Sequence, residues 1–219
     1  MSNVELNSYD TLDDFKQHPA YLYAKHVADG TLVSNRDIII VCKNFLYDVD
    51  HQDEKEIFLD LDFINEISIF TNLLIMPNGV AVGKTVQESL AGFQWFFIIN
   101  ALCWKRADNH DKRRYESSVL LIGRKNGKTF LIALVFVILL LLEPEFSNFF
   151  SVAPDLELST LIKDEMRKLI SVSPIASQYF KMTKAEIVCI PTQSTFKPLA
   201  TSNNRMDGKQ KSPSLDSNI

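Results

Sequence analysis

The apolar positions after residue 117 fall into short runs separated by polar turns, and their spacing alternates between strand and helix. Val119-Leu120-Leu121-Ile122 is a continuous apolar run, as a fully buried parallel strand shows. A polar turn follows from Gly123 to Lys128, and then an all-round apolar helix from Thr129 to Leu142, stopped by Glu143-Pro144. Phe149 to Val152 predicts a second strand. Leu156 to Ile170 predicts an amphipathic helix with Leu158, Leu161, Ile162, Met166, Leu169 and Ile170 on one side. Ile187 to Ile190 and Thr195 to Leu199 predict two further strands. The alternation predicts a partial parallel sheet with helices on both faces.

Upstream the texture is helical. Leu12 to Gly30 reads as one or two helices, and Asn35 to Val49 as another, although Ile38-Ile39-Ile40-Val41 also fits a strand. Asp48 to Glu56 is a charged loop, Ile57 to Leu59 a short strand, and Asp62 to Phe70 a helix with Asp62 near its cap. Pro77-Asn78-Gly79 is a turn, Val86 to Trp104 a helix, and the densely charged Lys105 to Glu116 an exposed loop. The expected organisation is a mainly helical N-terminal region over residues 1–105 and an α/β core over residues 106–219.

Composition narrows the choices. Apolar residues make up 46% of the 219, enough for a sizeable core. The formal charge of −4 excludes a basic global field, so any nucleic-acid contact needs a local patch. Cys42, Cys103 and Cys189 are scattered, which suits a reducing compartment rather than a disulfide or zinc scaffold. The longest apolar run, Phe130 to Leu142, falls short of the roughly 20 residues a membrane span needs. His18, His26, His51 and His110 show no ligand spacing and read as surface residues.

The chemistry concentrates in Gly123-Arg124-Lys125-Asn126-Gly127-Lys128-Thr129. A loop between a buried strand and a helix start aims backbone N–H groups at one spot, where the helix adds about half a positive charge. Gly127 allows close approach of a phosphate, Lys128 would reach the β- and γ-phosphates, and the Thr129 hydroxyl would ligate Mg²⁺. Arg124 and Lys125 add attraction for a polyanion, and Arg124 is the candidate stabiliser of charge on a transferred phosphoryl group. The full GxxxxGK[ST] pattern wants glycine at position 122, which is Ile122. A second stretch, Gly79 to Thr85 (Gly-Val-Ala-Val-Gly-Lys-Thr), has the same spacing. Its apolar loop, and the lack of alternating elements after it, favour a surface turn there.

Arg124-Lys125-Asn126-Gly127-Lys128-Thr129 resembles the RKNGK[ST] form of the phosphate-binding loop of phage terminase large subunits, which also lacks the first glycine. Four further stretches match in order. His26 to Gly30, with Phe45 to Asp48, is similar to that family's N-terminal V-x-x-G … R-x-L-x-D-L region. Gln94-Trp95-Phe96-Phe97 is similar to its Q-x-F segment, and Val152-Ala153-Pro154 to a post-loop strand end. Phe196-Lys197-Pro198-Leu199 with Met206-Asp207-Gly208 is similar to its F-x-P-L … x-D-G stretch. The resemblance implies a P-loop NTPase-like core that binds ATP and Mg²⁺ and powers DNA translocation into a capsid. It implies Lys128 and Thr129 as nucleotide and metal residues, Arg124 as charge stabiliser, and Gln94 as reader of adenine. It implies double-stranded DNA, a portal protein and a terminase small subunit as partners, a homo-oligomeric ring for the full-length protein, and the bacterial host's cytoplasm.

The departures matter as well. The family's next element is an apolar strand ending in Asp-Glu, whereas Lys209 to Ile219 offers none, and Asp216 lacks both the strand and the following Glu. No nuclease segment follows. The expectation is an ATP hydrolase part that is incomplete here and inactive alone. The alternatives are a non-catalytic module that docks on a portal or small subunit, a decayed prophage remnant, and an unrelated P-loop ATPase such as a helicase.

Overall fold

The computed structural model describes residues 8–201. The chain divides into two compact units, Met1–Asn126 and Gly127–Ile219. The division expected at residue 105 falls inside a strand of the first unit.

Side-chain caps set the helices of the first unit. Helix α1 (Leu12–Phe15) opens with a reciprocal cap between Thr11 and Asp14. Helix α2 (Pro19–Ala28) starts with proline at its first turn, and the His18 Nδ1 accepts from the Ala20 N–H at 3.1 Å. It ends ahead of Gly30, whose φ of +83° suits glycine. Helix α3 (Arg36–Asp50) settles the ambiguity at Ile38 to Val41, because the Asn35 side chain accepts from the Ile38 N–H at 2.9 Å and launches a helix. Strand β1 (Ile57–Leu59) is as expected. Helix α4 (Leu61–Leu73) is capped by Asp60, two residues earlier than the expected Asp62.

Two expectations in this unit are corrected. The helix read over Val86 to Trp104 is two helices, α5 (Val86–Ser89) and α6 (Gly92–Leu102). Leu90 and Ala91 are extended, and the Gln94 side chain turns back to accept from the Ala91 N–H at 2.9 Å. The loop read over Lys105 to Glu116 contains a hairpin, β2 (Trp104–Arg106) and β3 (Asn109–Arg113), in an antiparallel sheet of order β1-β2-β3. Most of the hairpin is exposed, so its alternation carries no hydrophobic signal. Its register comes from pairing with Ile57 to Leu59.

The core of this unit is aromatic. Phe45 lies edge-on to Phe15, Phe96 and Trp104 at 6.3, 5.1 and 6.0 Å. His18, expected on the surface, is fully buried against Phe15, Tyr9 and Trp95. Asp48, expected at the head of a charged loop, is also buried, with its carboxylate held by Lys55 and by Arg114 at 2.6 Å.

Gly92 lets α6 approach α2 closely: a Cβ there would sit 2.9 Å from the Tyr23 Cβ and 3.4 Å from the Pro19 carbonyl oxygen. Both atoms belong to the neighbouring helix or its immediate attachment, so they yield only if α2 moves. Gly92→Ala is therefore expected to destabilise the first unit by about 1–3 kcal/mol, read from urea unfolding, despite alanine's better helix propensity.

The second unit opens with α7 (Lys128–Leu142) and continues with β4 (Asn148–Ala153), α8 (Leu156–Ser171), β5 (Phe180–Met182), β6 (Ile187–Cys189) and β7 (Thr195–Ala200). Its sheet has the order β4-β7-β6-β5; β4 and β7 are parallel, and the other pairs antiparallel. The α/β class and the helical N-terminal region are as expected, and three details differ. First, β5 is an added short strand that pairs with β6 in a hairpin. Second, Phe149 and Phe196 meet Phe136 of α7, and the Ser151 hydroxyl donates to a carbonyl of α8. The alternate positions Phe150 and Val152 are 44% and 56% exposed, so among the described residues both helices cover one face of β4. Third, Leu158 and Leu161, expected on the buried stripe of α8, are exposed, and the first half of the helix buries Ser159 and Lys163 instead, before Met166, Leu169 and Ile170.

Val119 to Ile122 is no strand. The segment has no regular structure, Val119 and Leu121 are 89% and 93% exposed, and among the described residues no backbone hydrogen bond engages residues 115–122. An apolar run predicts burial only where a partner strand is present to pair with it.

Candidate functional site

The loop at residues 123–129 is exposed throughout. Its first part folds on itself. Lys125 has φ of +67°, uncommon for a residue with a Cβ, and the Asn126 side-chain nitrogen donates to the Gly123 carbonyl at 3.3 Å and reaches the Arg124 carbonyl at 3.5 Å. A Cβ on Gly123 would stand 3.3 Å from that same nitrogen, so the glycine leaves room for the brace. Gly127 then takes φ of +72° and acts as the N-cap of α7. Lys125 and Gly127, on either side of Asn126, both take positive φ.

Helix α7 supplies the second half of the geometry. Its N-cap offers no side-chain acceptor, and no acidic residue occupies its first turn. The first N–H groups of an apolar helix thus lack the usual side-chain cap, and the helix dipole adds positive potential there. Lys128 and Thr129 occupy the first turn, with Phe130 and Leu131 anchoring the helix below them in the core. Among the described residues, Arg124, Lys125 and Lys128 enter no ion pair. Arg124, Lys125, Asn126, Gly127, Lys128 and Thr129 are brought together by chain continuity alone.

Gln94 lies elsewhere. It occupies the first turn of α6, half-buried, with its oxygen engaged by the Ala91 N–H. Its amide nitrogen is the part left to donate.

Gly79 to Thr85 is a surface turn. Met76 N–H donates to the Lys84 carbonyl at 2.9 Å and Gly83 N–H to the Met76 carbonyl at 3.2 Å, which closes a hairpin-like loop. Thr85 caps only the four-residue α5. The stretch lacks a long helix whose dipole would favour an anion. No cluster of three or more potential metal ligands occurs among the described residues, and none of their helices is long and apolar enough to cross a membrane. The three cysteines are buried thiols, and burial raises that of Cys42 to about 11.

Sequence reasoning missed a groove in the first unit. It has a volume of about 660 Å³ and lies among α3, α6 and the segment 117–123, reaching Gly123 and Asn126. Tyr23, Ile38, Val41, Phe93 and Phe97 contribute to its walls, whereas Gln94 does not. The signal was present in the i, i+3, i+4 spacing of Phe93, Phe96 and Phe97, which reads as core until the neighbouring elements are placed.

Comparison with known proteins gives a family. The profile described as the terminase large subunit, ATPase domain, matches residues 92–215. A search of curated proteins finds no match. Among solved structures, the crystal structure of the HK97 bacteriophage large terminase is similar at 23% identity and a TM-score of 0.49, over 61% of this chain. The chain spans 26% of that protein's length. The Met206-Asp207-Gly208 stretch and Asp216 lie outside the described residues.

Proposed function

This chain belongs to the terminase large subunit ATPase-domain family, and from that premise we propose that the loop from Gly123 to Thr129 binds ATP with Mg²⁺ as part of a viral DNA-packaging motor. The observation that carries the reading is the first turn of α7. An apolar helix with no side-chain cap begins at Lys128, behind two residues of positive φ, on a loop whose Arg124, Lys125 and Lys128 enter no ion pair among the described residues. These groups fit a triphosphate: the backbone N–H groups would hold its oxygens, Lys128 would bind the β- and γ-phosphates, and the Thr129 hydroxyl would be a ligand for Mg²⁺. Mg²⁺, when bound, neutralises phosphate charge. Lys125, Asn126 and Gly127 act through their backbone, Asn126 also through its brace to Gly123. Arg124 would stabilise negative charge on the phosphoryl group, and Gln94, whose oxygen is held by the Ala91 N–H, would offer its amide nitrogen to the adenine ring.

The acidic pair that would orient the attacking water is unassigned in this sequence, so the reading made for this chain alone is nucleotide binding. ATP hydrolysis, movement of double-stranded DNA, docking to a portal protein and a small subunit, and ring assembly are proposed for the motor as a whole, in the cytoplasm of a bacterial host. They rest on family membership.

Calorimetric titration with Mg-ATP tests the loop. Lys128→Ala is expected to weaken binding about tenfold to a hundredfold, since one charge-assisted contact is lost. Lys84→Ala, in the other stretch of like spacing, should leave it unchanged. Equal effects of the two substitutions, or none from Lys128→Ala, would refute the assignment.

A further inference from the structure

Two turns of the second unit meet where α7 ends. One, from Glu143 to Ser147, joins α7 to β4, and the other, from Ile190 to Ser194, joins β6 to β7. Hydrogen bonds lock them together. The Phe146 N–H donates to the Thr192 carbonyl at 2.8 Å, the Ser147 N–H to the Ser194 hydroxyl at 3.2 Å, and the Thr192 hydroxyl to the Leu140 carbonyl of α7 at 2.7 Å. The braced turn holds Phe146 at φ of +65°, a region that disfavours any residue with a Cβ and a bulky one most. The ring is 68% exposed, so it gives the core of the unit little in return. Glycine would fit this backbone without strain.

The charge at this place also runs against the fold. The last turn of α7 has no basic residue, Glu143 is its C-cap, and the exposed Glu145 follows. Carboxylates there face the negative end of the helix dipole, which disfavours them. Exposed apolar side chains continue along the linked backbone: Ile190 is 49% exposed, and its N–H donates to the carbonyl of Tyr179, itself 44% exposed. Residues 143–150, 175–180 and 189–195 contain no lysine, arginine or histidine. An aromatic residue held in strain and carboxylates of unfavourable sign thus occur together, and neither serves the unit's own stability.

We propose that this end of the second unit docks a cationic amphipathic segment of a partner protein. Its apolar side would cover Phe146, Ile190 and Tyr179, and its lysines or arginines would meet Glu143, Glu145 and the carbonyl end of α7. The bracing fits Phe146 for an anchor, because a preordered side chain loses little conformational entropy on docking. Nucleic acid is excluded as the occupant by the sign of the charge. The proposal does not rest on the nucleotide reading, because neither Lys128 nor any bound phosphate takes part.

Fluorescence anisotropy tests it, with a labelled synthetic peptide of roughly 18 residues carrying leucine and lysine at helical spacing, and a counterpart with glutamate for lysine. The cationic peptide should bind the purified chain, more weakly as salt is raised, and the acidic one should not. Phe146→Gly should weaken binding at least about tenfold, and Glu145→Lys about threefold to tenfold. Leu158→Ser and Glu157→Lys alter an exposed apolar residue and an exposed carboxylate at the start of α8, and should leave binding unchanged. Phe146→Gly should also unfold at the same urea concentration as the wild type or a higher one, since glycine relieves the left-handed turn. Failure of the cationic peptide to bind overturns the proposal, and so do equal losses from the two changes on α8. A clear fall in stability for Phe146→Gly overturns it too, by making the ring a structural residue. Self-association of the wild-type chain that Phe146→Gly abolishes would overturn it by giving the surface to a second copy.

Discussion

Replacing Asp48 by alanine is expected to cost the first unit about 3 kcal/mol of stability, measured by urea unfolding followed through tryptophan fluorescence. Both tryptophans of the chain, Trp95 and Trp104, are buried in that unit, so the signal reports on it alone. The Asp48 side chain is only 4% exposed, and its two oxygens face Lys55 and Arg114. Arg114 is 22% exposed and lies over the rings of Trp104 and Tyr115, at 5.6 and 4.8 Å from their centres. Without the carboxylate, that guanidinium stays against aromatic surface with little water and no counter-charge. Lys55, at 39% exposure, can turn to solvent and limits the loss. Asp48→Asn, which keeps the shape, should recover only a small part of it. A cost below about 1 kcal/mol for Asp48→Ala would mean that the carboxylate does not hold these elements together.

The second large effect is acid sensitivity through His18. Its ring is buried among Phe15, Tyr9 and Trp95, and its Nδ1 accepts from the Ala20 N–H. The proton therefore sits on Nε2, which has no hydrogen-bond partner among the described residues. Burial pushes the pKa down from 6.5 to about 3. The sign follows from proton counting. Between pH 6.5 and 3 the unfolded chain binds a proton that the folded chain refuses, so stability falls as the solution is acidified. The contribution is fully present above pH 6.5, declines by about 1.4 kcal/mol per pH unit below it, and is exhausted near pH 3. By pH 4.5 the loss should reach roughly 2–3 kcal/mol. His18→Phe removes the titrating ring and sacrifices the cap of α2, so it should be weaker at pH 7. The informative quantity is the slope: between pH 6.5 and 4.5 the variant should lose less stability than the wild type by that amount. Parallel slopes would show that His18 takes up its proton in the folded chain.

The turn and helix start at residues 123–129 were legible because their signal is local. Glycine at 127, lysine at 128 and threonine at 129 ahead of an apolar helix need no distant partner to be recognised, and the left-handed turn and uncapped helix start follow from those residues. Helices were legible to within a few residues for the same reason, with Asn35 and Asp155 acting as caps through their own side chains. What stayed hidden depends on contacts far apart in the chain. The hairpin at Trp104 to Arg113 takes its register from Ile57 to Leu59. Asp48 is buried because Arg114, distant in sequence, comes to it. His18 is buried because Tyr9 and Trp95 close over it. Val119 to Ile122 failed in the opposite sense: its pattern was that of a buried strand, and pattern alone cannot supply the neighbour that a strand needs. Leu158 and Leu161 on α8 repeat that lesson, since an apolar stripe marks what a helix would bury and not what is there to bury it.

The stretch from Tyr115 to Ile122 carries a consequence for isotope labelling. Its amides have no carbonyl to shield them among the described residues, while α6 before it and α7 after it are closed ladders with buried faces. In heavy water this stretch should take up deuterium at nearly the rate of a free peptide, between two segments that resist exchange. A peptide map by mass spectrometry would show it as a sharp band of early uptake leading straight into the loop at residues 123–129.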